Sequence, residues 1–95
     1  MKYELALVLK PLNNEDIKER VMPKIEKTLK ELNGSIKLKQ TLGKRMLAYP
    51  ISKFKEGVYS FYRLELPGAK LTEFRKSLTL TGEVLRFLII KEGEL

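Results

Sequence analysis

The hydrophobic period of this chain switches back and forth between that of a strand and that of a helix, and this succession limits the folds open to it. Tyr3, Leu5, Leu7 and Leu9 hold the odd positions of a first strand that ends at Lys10-Pro11. Asn13 and Asn14 then offer a helix N-cap, and Glu15 and Asp16 stand where the helix dipole favours anions. Ile17, Val21, Ile25, Leu29 and Leu32 recur at helical steps, with Met22 alongside, until Asn33-Gly34 supplies a C-terminal stop. Pro23 lies inside that stripe. It lacks the amide that would bond to the Glu19 carbonyl, so it should kink the helix or delay its regular start, at a cost of ~3 kcal/mol unless packing compensates.

Strand patterning returns after Gly34. Ile36, Leu38, Leu42, Met46 and Ala48 share one parity and Leu47, Tyr49 and Ile51 the other, with Gly43 between the groups, as if a bulge or twist shifts one long strand. Pro50 places that strand at a sheet edge. Ser52 to Gly57 is expected to form a turn, and Val58 to Leu66 a strand rich in aromatics that closes at Pro67-Gly68. Leu71, Phe74 and Leu78 have helical spacing, Thr81-Gly82 ends that helix, and Val84 to Ile90 is a last strand. The order β-α-β-β-α-β implies an α+β, ferredoxin-like sandwich: a four-stranded, antiparallel-dominated sheet with two helices on one face. The other face is left for a partner or solvent. With 95 residues, one domain over 1–95 is expected.

The charge balance narrows the partners. Nineteen Lys plus Arg against twelve Asp plus Glu leave a formal +7, which favours polyanions. Cysteine and histidine are absent, which removes a thiol nucleophile, a disulfide framework, a Cys or His zinc site and a histidine base. No cofactor and no enzymatic activity are expected. The longest apolar runs, Leu5 to Leu9 and Phe87 to Ile90, fall far short of the ~20 residues of a spanning helix, and no signal peptide is apparent, so a cytoplasmic location is expected.

The segment Leu42-Gly43-Lys44-Arg45-Met46-Leu47-Ala48-Tyr49-Pro50-Ile51 resembles the L-G-x-R-x-L-A-Y-P-I signature of the bacterial small-subunit ribosomal protein six family. The resemblance extends over roughly residues 2 to 92, through Tyr3-Glu4, Asn33-Gly34, Glu56-Gly57 and Val84-Leu85-Arg86. It implies a ferredoxin-like ribosomal protein that binds 16S ribosomal RNA together with ribosomal protein eighteen during assembly of the central domain of the small subunit. Pro23, Thr79 and Thr81 depart from the family pattern.

Phosphate neutralisation by Lys and Arg should supply most of the RNA affinity. From Ile36 to Lys55 the chain carries Lys37, Lys39, Lys44, Arg45, Lys53 and Lys55 and no acid, whereas the first helix mixes its cations with carboxylates. The RNA-binding candidates are Lys2, Lys44, Arg45, Lys53, Lys55 and Arg86. Arg45 falls on the arginine of the family signature, and its guanidinium fork can hold a phosphate through two N–H bonds. Lys37 and Lys39 can equally serve as charged guards of an exposed edge. Arg86 interrupts an apolar strand, where it needs solvent, a phosphate or a carboxylate such as Glu4 or Glu65. Tyr49 either stacks on a base or anchors the edge strand to the core.

Parity turns Tyr59 and Phe61 away from the helices. With Val8, Leu88 and Ile90, and Ala6 between them, they form a patch suited to a protein partner, ribosomal protein eighteen in the family reading. Two alternatives remain. Glu56-Gly57-Val58-Tyr59-Ser60-Phe61 resembles in part the RNP1 segment of RNA-recognition motifs, without its basic residue before the glycine, and would bind single strands by stacking. A small-ligand domain would need a concave site with convergent polar groups, and no glycine-rich phosphate loop or paired-carboxylate spacing points to one.

Overall fold

The computed structural model describes residues 1–51 and 53–92; Ser52, at the start of the expected turn, and the side chain of Asn14, one of the two expected caps, lie outside what is described. The strands are β1 (Lys2–Leu9), β2 (Ser35–Ile51), β3 (Phe54–Glu65) and β4 (Val84–Lys91). A helical turn at Asn14–Asp16 and a π-helical stretch at Ile17–Val21 lead into α1 (Met22–Glu31), and a 3-10 turn at Gly68–Lys70 leads into α2 (Leu71–Leu80). The sheet order is β2-β3-β1-β4, and all three pairings are antiparallel.

Alternation in β1 does what its pattern requires. Tyr3, Leu5, Leu7 and Leu9 are buried, and Ile17, Val21, Ile25, Leu29, Phe74 and Leu78 of the helical layer pack with them and with Val58, Tyr62, Leu64, Leu66 and Ile89 into one core. Each fully buried leucine contributes on the order of 2 kcal/mol. Asn13 caps the helical lead-in: its Oδ1 accepts the Asp16 backbone N–H at 2.8 Å. Pro23 stands at the opening of α1, and the π-helical stretch before it absorbs the mismatch, with the Met22 N–H bonding five residues back to the Ile17 carbonyl. The proline thus delays the regular helix and occupies a position where its missing N–H costs little. At the other end Asn33 takes the left-handed conformation, with φ +62°, and the Gly34 N–H returns to the Leu29 carbonyl at 2.6 Å, a Schellman closure.

Two expectations fail in the hairpin. The turn is not Ser52 to Gly57: Ile51 already pairs with Phe54, and β3 starts four residues before Val58. Gly57 is a strand residue, required because a Cβ there would stand 2.7 Å from Val8 Cγ1 and 3.2 Å from the Leu9 carbonyl oxygen. Nor does one parity hold along β2. Ile36 lies opposite Leu64 on the helix side, but Leu38 lies opposite Arg63 on the outer side, because the ladder skips Lys37; it skips again at Leu42, where Gly43 adopts φ +91°. The expected bulge at Gly43 and the edge position of β2 are both present.

Candidate nucleic-acid interface

The sheet face away from the helices assembles its side chains by register. Ala6 stands between Phe61 and Leu88, Val8 between Tyr59 and Arg86, and Glu4 between Arg63 and Ile90. Val8, Tyr59, Phe61, Leu88 and Ile90 therefore lie on one surface spanning three strands. Leu88 is 57% exposed, while Val8, Tyr59, Phe61 and Ile90 are half-buried. Glu4 and Arg63 close one end of this patch as a cross-strand ion pair at 3.8 Å.

The hairpin brings most of the cation candidates to the opposite end. Arg45 pairs with Gly57 on the outer face, Lys44 with Val58 on the reverse face, and Lys53 and Lys55 flank the tip. All four are exposed and, among the described residues, form no ion pair. Lys37 and Lys39 differ: the first reaches Glu65 at 3.5 Å and the second is bonded to Glu26, so the edge-guard reading fits them. Lys2 is not part of the cluster. It pairs with Glu65, six residues along β1 from Val8 and so roughly 20 Å away. Lys10, which sequence reasoning missed, reaches the hairpin tip with its ammonium 5.6 Å from the centre of the Phe54 ring. Only its place directly after β1 hinted at this.

Arg86 has a partner that the strand pattern did not reveal. Glu4 is engaged by Arg63 and Glu65 by Lys37, so neither carboxylate neutralises it. Instead an Arg86 Nη1 N–H donates to the Tyr49 hydroxyl, and the guanidinium carbon lies 5.3 Å from the centre of the Tyr49 ring. Tyr49, itself 53% exposed, thus anchors the edge strand to β4 across the outer face rather than to the core. Thr79 and Thr81 donate their hydroxyls to the Arg75 and Ser77 carbonyls at 3.0 and 2.9 Å.

On the helix side, a groove of about 750 Å³ runs between the helical lead-in and β2, lined by Ile17, Met22, Pro23, Leu42 and Tyr62. Two of its polar groups are engaged, as the Tyr62 hydroxyl donates to Met22 Sδ at 3.0 Å and Lys39 is tied to Glu26, and Lys18 and Thr41 complete its polar lining. Burial raises the Tyr62 phenol above its ordinary 10. Glu83 moves the other way: its own backbone N–H, and then Lys24 at 3.1 Å, hold its carboxyl below the ordinary 4.5. Among the described residues no group of three His, Cys, Asp or Glu could hold a metal ion, and no helix is long and apolar enough to cross a membrane.

Comparison with known proteins agrees with this architecture. The family model described as ribosomal protein S6 matches residues 2–91. The small ribosomal subunit protein bS6 of Gloeobacter violaceus is 34% identical over 93 residues, covering 98% of this chain and 97% of the relative. That of Dictyoglomus turgidum is 36% identical over 89 residues, covering 93% and 91%. The crystal structure of 30S ribosomal protein S6 from Thermotoga maritima superposes with a TM-score of 0.81 at 28% identity, over 94% of this chain and 84% of that one. With the fold, the signature segment and these matches in agreement, the chain belongs to the ribosomal protein S6 family, whose members are structural, non-enzymatic components of the small ribosomal subunit in the cytoplasm.

Proposed function

We propose that this chain acts as a single RNA-binding domain that engages 16S ribosomal RNA through its β2–β3 hairpin while its outer sheet face docks ribosomal protein eighteen, a joint step in assembling the central domain of the small subunit. The observation that carries this reading is the separation of two surfaces. Lys44, Arg45, Lys53 and Lys55 form an acid-poor, unpaired run at the hairpin, and an apolar patch lies beside it on β1, β3 and β4. Unpaired exposed cations gain most from meeting phosphates, since no internal ion pair has to be given up and each phosphate neutralised releases counterions. An apolar patch of this kind, rimmed by the Glu4–Arg63 pair, is suited to a protein rather than to RNA.

The test is binding of the purified protein to a central-domain fragment of 16S ribosomal RNA, with and without ribosomal protein eighteen, across a salt series. The expected outcome is affinity that rises with the protein partner, falls as salt rises, and drops roughly tenfold in Arg45→Ala, in line with about 1–2 kcal/mol for a charge-assisted hydrogen bond. Absence of RNA binding under every condition would sink the reading. Retained RNA binding that Leu88→Asp leaves insensitive to the partner would support the assignment of the patch, and an undiminished effect of the partner would refute it.

A further inference from the structure

The outer face holds a contact that neither the RNA reading nor the partner reading uses, the bond between Tyr49 and Arg86. These residues are far apart in the sheet: β2 and β4 are its two edges, with β3 and β1 between them. The bond exists because the end of β2 leaves its ladder. After Met46, opposite Glu56, the next paired residue is Ile51, opposite Phe54, so residues 47–50 are not in register with β3. Leu47 turns over the sheet, with its Cδ2 3.4 Å from where a Gly57 Cβ would be, and Tyr49 continues across to β4. Gly57 permits this crossing by presenting no side chain on the outer face.

From this geometry we infer that Tyr49 is a positioning residue for RNA binding. Its tie to Arg86 holds the end of β2 across the outer face and so fixes where Arg45 and the hairpin cations point. Arg86 then contributes to RNA affinity through the hairpin rather than through a phosphate of its own. Two features of the tie support this. The guanidinium is engaged twice, by its N–H donation to the phenol and by the face of the ring, which fixes direction as well as distance. The strand segment it holds has no ladder to β3, so the tie replaces the register that residues 47–50 lack. The inference rests on the proposed hairpin interaction with RNA.

A double-mutant cycle tests it: Tyr49→Leu, Arg86→Met and the double variant, with Arg86→Lys as the conservative control. Backbone amide exchange at residues 46–51 is read without RNA. Affinity and its salt slope are read with the 16S fragment and ribosomal protein eighteen. Each single change should accelerate exchange and weaken RNA binding roughly three- to tenfold, the double variant should be no worse than either single, and Arg86→Lys should recover part of the affinity by keeping a cation over the ring. The slope of log affinity against log salt should stay at the wild-type value, because every phosphate keeps its cation. A slope lowered by about 0.9 in Arg86→Met with unchanged exchange would show that Arg86 meets a phosphate directly and overturn the inference. Additive effects in the cycle would also overturn it. If the wild type binds no RNA, the proposed function fails instead, and the exchange cycle alone decides whether the tie exists.

Discussion

Lys53 holds φ at +73°, in the left-handed region, where an L side chain costs on the order of 1 kcal/mol. Its side chain is exposed and forms no ion pair among the described residues to offset that strain. Replacing it with glycine removes the strain but adds freedom to the unfolded chain, so Lys53→Gly should raise stability by roughly 0.5 kcal/mol in urea unfolding. A drop in stability would mean that the lysine conformation is supported by an interaction of its own. At this scale the sequence was a partial guide. Arg86 lies beside Val8 on the outer face, and its need for a partner was legible in the apolar run around it. The identity of the partner was not: Tyr49 reaches it only because the β2 end crosses two intervening strands, and no local pattern encodes an interaction of that range.

Elements were legible where a single period runs uninterrupted, as in β1 and β4, and less so where the chain skips residues. The parity change around Gly43 marked the bulge at Leu42, but nothing in the pattern marked the one at Lys37, and each moves the following β2 side chains to the other face. Glu56-Gly57 reads as a turn signal, yet the glycine answers a close approach of β1 rather than a reversal. Between elements, Lys24 of α1 bonds both carboxylate oxygens of Glu83, the residue before β4, at 3.2 and 3.1 Å. The Glu83 carboxyl is held below its ordinary 4.5, first by its own backbone N–H and then by Lys24, so the folded state binds that proton more weakly than the unfolded state does. The stability this provides is present above pH 4.5 and disappears as pH falls through the lower folded value. Glu83→Gln should therefore cost under about 1 kcal/mol at neutral pH, as expected of a surface pair. The gap from wild type in urea midpoints should close as the buffer is taken below pH 4.5. A gap that stays constant down to strongly acid pH would mean that the carboxylate charge is not what joins these elements.

For the molecule as a whole, the formal +7 is divided unequally between its two layers. Cations of the helical layer stand among Glu15, Asp16, Glu19, Glu26 and Glu31, and Arg20, Lys24 and Lys70 are in ion pairs. Lys44, Arg45, Lys53 and Lys55 at the hairpin have few carboxylates near them in sequence and, among the described residues, none bonded to them. A net charge attracts RNA from any direction, whereas tight binding depends on which cations reach phosphates, and the two effects separate when equal charge is removed from each layer. One variant would change Lys44, Arg45, Lys53 and Lys55 to glutamine, and a second would change Lys18, Lys27, Lys30 and Lys76, which are exposed and form no ion pair among the described residues of the helical side. Both variants carry four fewer positive charges. The hairpin variant should give up most of its affinity for the 16S fragment, with the salt slope falling by about 0.7–0.9 for every phosphate no longer neutralised. The helical variant should stay close to wild type in affinity and keep the wild-type slope. Equal weakening in both would show that net charge alone draws the protein to RNA, and the hairpin would then have no privileged role.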